Sequence, residues 1–468
     1  MAIAPPKVVL RLGSHAEKEY FEMLAGSLDG FMFGGNLLEI TPAATASLIF
    51  ALRQRAKKNL PYYLDPMTYC FGPYIDPDTR TKRVDLESLK SERLESRGSK
   101  RKVKSVKDSY ADLAERLGNA FRTAVGDGKS CTAIDVSVIA PENRDEMCRT
   151  VVRYQLERVR EIISEDDLLK AEFGDDCGPA AVFAPYFFIH EKWANQAIPD
   201  ALDLIQRTVR LKSSAPAHAI LCTSEAILGS PSHLKALSDG LKRTGVAGVW
   251  LWFDGFDELE TSADRAVALR SFIRELAGHM AVFNLHGGYF SMLLAHDGLT
   301  GVSHGVGYGE RKPVAQVIGA AAPTVRYYLP AIHKRVGVAE IQRCYPNVGI
   351  ASKQDFLDKV CSCQICKGVI GGPEGLGGFK SFGELHRARE ESQRDTQTPA
   401  AAKMCRYHFL INRLKERTAI AGMDPKKRSE LITSNAASWR NCLALAQFVG
   451  PPGTQGYLEN WARAFSDA

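Results

Sequence analysis

Three thiols fall within six residues in Cys361-Ser362-Cys363-Gln364-Ile365-Cys366. Thiolates at that spacing can close three corners of a tetrahedral metal site, because so short a stretch of chain turns its side chains onto one centre. Apolar packing gives no reason to alternate cysteine with Ser362 and Gln364, so ligation explains the pattern better than burial does. A fourth ligand is expected downstream, and His386, Cys405 and His408 all lie within reach beyond the glycine-rich run 368–383. His408 has the best setting, in Met404-Cys405-Arg406-Tyr407-His408-Phe409-Leu410, where a helical period continues through Ile411 and Leu414 and would anchor an ion rigidly. His386 stands in the charged run His386-Arg387-Ala388-Arg389-Glu390-Glu391 and reads as a solvated histidine. Cys361, Cys363, Cys366 and His408 are therefore the expected ligands of a structural Zn2+ ion.

A second set of polar residues closes short apolar runs. Asp65 ends the run 62–65, Asp135 lies within 133–138, Glu225 follows 218–222, Asp254 and Asp257 follow 248–253, and His286 and His304 end 281–286 and 301–305. Carboxylates can attack an electrophilic carbon or carry protons, and histidine titrates near neutral pH. Gly287-Gly288 and the glycines at 305, 307 and 309 follow the last two runs, where a bare backbone can approach a flat or anionic ligand. Trp252 could stack on a heterocycle or simply pack in the core. Each member has an ordinary role open to it, a helix cap for Asp257 or a turn before Pro66 for Asp65, so the weight rests on their convergence.

Convergence requires that the runs form one sheet. Eight can be named, at 30–35, 62–65, 133–138, 181–186, 218–222, 248–253, 281–286 and 301–305, and stretches of helical period separate most of them. In Ala263–Ala277, for example, Ala266, Leu269, Phe272, Ile273 and Leu276 share one face. Eight strand–helix units within about 300 residues predict a (β/α)8 TIM barrel, whose active site lies at the carboxyl ends of its strands. Residues 1–350 would form that barrel, with a basic insertion at about 80–127 after the second strand, and residues 351–468 a zinc-binding, helical C-terminal subdomain.

The 468 residues are 45% hydrophobic and 24% charged, a balance that supports a sizeable core. No apolar run is long enough for a bilayer and the first residues lack a secretion pattern, so a cytoplasmic protein without membrane contact is expected. Eleven cysteines, several scattered through apolar segments as at Cys131, Cys222 and Cys442, suit a reducing compartment better than a disulfide framework. The net charge of +6 is modest, but it peaks locally at Arg97, Lys100, Arg101, Lys102 and Lys104. Such a run can neutralise phosphates of a nucleic acid, and it also reads as a solvated loop.

A barrel followed by C-x-C-x-x-C and a later helical histidine resembles the tRNA-guanine transglycosylase family, including its relatives that place deazaguanine bases in DNA. The resemblance spans most of the chain in architecture and is specific over Cys361, Cys363, Cys366 and His408. It implies exchange of guanine in DNA or tRNA for a 7-deazaguanine base, by one carboxylate that attacks the anomeric carbon and another that handles protons. Asp65 matches the acid/base aspartate of the family. The family's nucleophilic aspartate ends the eighth strand, where this chain has Val302-Ser303-His304-Gly305, so the nucleophile has moved, with Asp254 the candidate, or exchange has been lost. His304, together with Asp135, Glu225, Trp252, His286, Gly287 and Gly288, would line the mouth. A binding protein that retains the pocket, alone as a homodimer or beside a catalytic partner subunit, and a barrel hydrolase with water as acceptor are the other readings of the same residues.

Overall fold

The computed structural model describes residues 3–56, 59–75, 83–84, 89–94, 102–173, 178–307, 309–314, 325–387, 395–440, 442 and 456–466. Arg97, Lys100 and Arg101 of the basic run lie outside the described residues.

Eight parallel strands form a single sheet: β1 (Lys7–Leu12), β2 (Gly30–Gly34), β3 (Tyr62–Asp65), β4 (Val182–Phe183), β5 (Ala217–Ser224), β6 (Gly248–Asp254), β7 (Ala281–Asn284) and β8 (Gly301–Gly305). They are ordered β3-β2-β1-β8-β7-β6-β5-β4, and the N–H of Ala180, just before β4, donates to the Tyr62 carbonyl of β3 at 2.8 Å. The two edges thus approach each other, and the sheet curls into a nearly closed barrel. Every residue of β2 and β3 is buried, as expected of parallel strands covered on both faces. Inside, Tyr63, Phe183, His218, Trp250 and Phe283 pack ring against ring, with Trp250 stacked on Phe283 at 4.2 Å and its indole N–H donating to His218 Nδ1 at 3.1 Å. This aromatic layer fills the barrel floor, so only the upper end is left for a site.

The sequence reading requires two corrections. Residues 133–138 are not a strand: Asp135 caps a single helical turn at Val136–Val138, accepting from the Ser137 N–H at 3.1 Å and the Ser137 hydroxyl at 2.7 Å. An aspartate two residues before a serine favours that local turn over a ladder, while Ile134 and Val136 bury themselves outside the sheet. The missing strand is instead β1, so Asp65 ends the third strand and the insertion follows it. The described parts of that insertion include the antiparallel pair 90–94 with 102–106, which carries Lys102 and Lys104 on exposed positions.

Around the barrel pack α1 (Pro42–Ala56), α2 (Pro141–Ser164), α3 (Ala194–Arg210), α4 (Pro231–Thr244) and α5 (Ala263–Ala277). The expected face of α5 is buried, and it also buries Arg270 against Asp297 at 3.0 Å. The C-terminal part has a hairpin of β9 (Tyr327–Leu329) and β10 (Lys334–Val336), then α6 (Gln364–Gly371), α7 (Pro399–Ala421), α8 (Arg428–Arg440) and α9 (Tyr457–Ala464). Asp297 joins it to the barrel, because Arg428 of α8 meets the same carboxylate at 2.5 Å while Arg270 donates to the Ala464 carbonyl of α9 at 2.6 Å. Among the described residues no helix is long and apolar enough to cross a membrane.

Candidate metal centre and barrel mouth

The loop before α6, the first turn of α6 and the middle of α7 bring Cys361, Cys363, Cys366 and His408 together, all buried, with their donor atoms within 4.8 Å of one another. A tetrahedral ion with metal–sulfur bonds of about 2.3 Å separates its ligands by about 3.8 Å, so the cluster could hold a metal ion with little movement. The N–H groups of Cys363 and Cys366 point at the preceding thiols, at 3.3 Å and 3.4 Å, which folds the short loop around its own sulfurs. His408 Nε2 lies 2.6 Å from the Tyr328 carbonyl, which only accepts, so Nε2 carries the proton and Nδ1 is the ligand atom. That Nδ1 is 3.4 Å from both Cys363 and Cys366 Sγ. Tyr327 stacks on the imidazole at 4.0 Å and sets its hydroxyl 3.1 Å from Cys366 Sγ, while Asn412 holds Cys361 at 3.3 Å.

Hydrogen bonds from the neighbouring thiols, Cys361 first, draw Cys363 down to about 3, and burial pushes Cys366 up. A divalent cation held by these ligands would displace whatever thiol protons remain. The other candidate ligands lie elsewhere. Cys405 donates to the Phe382 carbonyl at 3.3 Å, and His386 is exposed on a small antiparallel pair.

At the barrel mouth Asp65 is fully buried and held on both oxygens: Arg11 of β1 at 3.1 Å on Oδ2, the Tyr186 hydroxyl at 2.7 Å and the Met67 N–H at 2.9 Å on Oδ1. Met67 adopts φ 53°, a left-handed conformation that costs a methionine strain and turns its N–H back onto the carboxylate. Asp254, at the end of β6, is half-buried and takes the Val314 N–H on Oδ1 at 2.8 Å. Burial raises its pKa, and the nearby Glu225 carboxylate raises it further. Burial, and after it the charges of Asp254 and Asp65, push up the Cys222 thiol of β5, and both acids end their strands.

Residues 309–314 pack against this end of the barrel. The Trp252 indole donates to the Lys312 carbonyl at 2.9 Å, and Lys312 Nζ donates to the Tyr69 hydroxyl at 2.8 Å, lying 5.4 Å from the ring centres of both Tyr69 and Trp252. Burial, with Arg11 beside it, lowers the Lys312 pKa.

The remaining expected residues divide between mouth and elsewhere. His286 faces the mouth, its ring edge-on to Trp252 at 5.0 Å and its Nδ1 donating to the Gly309 carbonyl at 3.2 Å. Burial keeps it neutral, and its Nε2 is buried without a hydrogen-bond partner. His304 faces outward instead, because the register that pairs Gly301 with the inward Phe283 puts Ser303 on the inner face. Its ring lies 5.4 Å from Phe409 of α7, and burial pushes it down to about 4. Glu225 pairs with Arg265, and Asp135 lies near Asp200 of α3, lining a separate cavity of about 70 Å³.

Gly288 does approach an anion, and it belongs to the chain itself, whereas the Gly287 N–H donates to the Ser303 carbonyl at 3.1 Å. Glu258 is buried and accepts from the Gly288, Phe290 and Ser291 N–H groups at 2.7, 3.0 and 3.2 Å and from the Ser291 hydroxyl at 2.5 Å. Burial pushes this carboxyl up to about 7 against the pull of those donors. Arg11, Tyr186, Glu258 and Lys312 escaped the sequence reading, for a strand-internal arginine and a loop lysine carry no local signature. Neither the protein-family models nor the curated proteins hold a match to this chain.

Proposed function

We propose that this protein is a TIM barrel that exchanges a guanine base of DNA or tRNA for a 7-deazaguanine, with zinc as the structural ion held by Cys361, Cys363, Cys366 and His408. The observation that carries this reading is the pair Asp65 and Asp254, two carboxylates that end different strands of the same sheet, beside the packed rings of Tyr69 and Trp252. Asp254 is the carboxylate a substrate can reach, since it is half-buried and Val314 holds one of its oxygens. Its free oxygen would bond to the anomeric carbon as the departing base takes the electron pair of the glycosidic bond. Asp65, aimed by Arg11 and linked to the Tyr186 hydroxyl, would move the proton that the leaving base gains and the incoming base loses. Zinc has no part in these steps: the Cys3His set fixes α7 against the hairpin of β9 and β10.

One observation favours binding without exchange. Residues 309–314 are tied across the mouth by Trp252, Asp254 and Tyr69, and a base can enter only if those hydrogen bonds open. Covalent trapping separates the two readings. Zinc-loaded protein with guanine-containing DNA or tRNA and a competing deazaguanine should give an adduct in denaturing gels, absent in Asp254→Asn. Salt-sensitive binding to either polymer with no adduct would leave a binding protein in place of an enzyme.

A further inference from the structure

Beside the mouth, between the ends of β1, β2 and β8 and the flank of α7, lies a cavity of about 540 Å³. Four cations line it, Arg11, Arg311, Lys312 and Arg406, against one carboxylate, Glu17. Arg11 is spent on Asp65 and Arg311 on Asp257, at 3.1 Å and 2.6 Å. Lys312 and Arg406 are different: both are half-buried, among the described residues neither forms a direct ion pair although Asp65 and Glu17 act on them from farther off, and the Arg406 Nε is buried without a hydrogen-bond partner. Holding cationic groups partly out of water without a direct partner is costly, and an anionic ligand would offset that cost.

The backbone is shaped for the same ligand. The Gly309 Cα stands so close to Gly305 that a Cβ there would fall 1.9 Å from the Gly305 nitrogen, so only glycine permits the chain after β8 to fold back on itself. Gly307 is bare toward the cavity, with the Arg406 Nε 3.6 Å from where its Cβ would be. Barrel enzymes often hold phosphate at loops after their last two strands, where backbone and cations converge.

We infer that this cavity is a phosphate site, in which Lys312 and Arg406 grip a phosphodiester next to the nucleotide whose base enters the mouth. The inference rests on the proposed base-exchange reading for its neighbour, but the phosphate chemistry stands on the cavity alone. The cavity is far larger than one phosphate and leaves room for the attached sugar. Arg406 stands two residues before His408 on the same helix, so the metal centre fixes the position of this cation.

Phosphate contacts weaken binding alike for all sequences when lost, and each adds about 0.7–1 to the slope of log affinity against log salt. Arg406→Gln and Lys312→Gln should each lower that slope by about this amount for a single-stranded oligonucleotide, with affinity down about tenfold. Lys242→Gln on the outer face of α4 is the control and should change neither. Inorganic phosphate should compete with the oligonucleotide for wild-type protein and not for Arg406→Gln.

If Arg406→Gln keeps its metal and melting temperature, yet slope and phosphate competition are both unchanged, the site does not exist. An unchanged slope, with inorganic phosphate raising the melting temperature of wild-type protein and not of Arg406→Gln, would keep the site and make its ligand a free phosphorylated small molecule. A reduced slope with no covalent adduct from any base would keep the phosphate site and refute base exchange.

Discussion

Asp65 is the buried charge on which the mouth is built, and replacing it by asparagine tests whether its pairing with Arg11 holds the site together. The carboxylate is inaccessible, whereas the Arg11 side chain keeps 15% exposure. Removing one partner of a buried pair costs about 3–5 kcal/mol, chiefly because the other charge is left uncompensated. Asparagine retains an acceptor for the Tyr186 hydroxyl and the Met67 N–H, and the remaining exposure lets water screen Arg11, so about 2–3 kcal/mol is the expected loss. Lys312 adds to it, since Arg11 already lowers the Lys312 pKa and the two cations would then face each other with one acid fewer between them. Arg11→Met alone should cost at least as much, leaving a fully buried carboxylate without its cation. The double variant should cost less than the two single losses added, by a coupling of about 1.5–3 kcal/mol. Urea unfolding followed by near-ultraviolet circular dichroism is the assay, because Trp250 and Trp252 are buried in the barrel and report its packing. A coupling below about 0.5 kcal/mol, with both single variants folded, would refute the view that this pair is a buried electrostatic unit.

Two further outcomes are expected. Cys363→Ser or His408→Ala should abolish binding of one metal ion per chain by elemental analysis and expose α6 and α7 to limited proteolysis while the barrel persists; an unchanged metal content would remove the centre. Because burial and then Glu225 raise the Asp254 pKa, the reactive carboxylate is lost as pH falls through a value above the usual carboxylate range, so exchange should rise with pH there; Glu225→Gln should move that acid limb to lower pH, and an unmoved limb would separate Asp254 from the chemistry.

Local pattern picked out the buried Cys3His cluster. Cys361, Cys363 and Cys366 lie within six residues and His408 on a long helix, so chemistry and spacing were enough to choose it over His386 and Cys405. The buried face of α5 was equally legible, because helical period alone sets which residues share a side. Seven of the eight expected runs enter the sheet, yet 133–138 shows where pattern fails: an apolar alternation also suits a segment lying against the outside of a barrel. β1 was missed because Arg11 interrupts its apolar run, and that arginine is inward precisely to meet an aspartate 54 residues away.

What the sequence determined by itself is therefore short-range: ligand spacing, helix faces and the supply of carboxylates at strand ends. Tertiary structure alone decided that His304 looks outward, since one step of strand register exchanges the two faces. It alone put Glu258 on the N–H group that Gly288 seemed to offer a ligand and Ser303 on that of Gly287, and laid residues 309–314 across the mouth. Arg406 and Lys312 meet at one cavity only because sheet closure and the packing of α7 bring together positions almost a hundred residues apart. Such contacts depend on long-range closure and desolvation, which local periodicity does not encode.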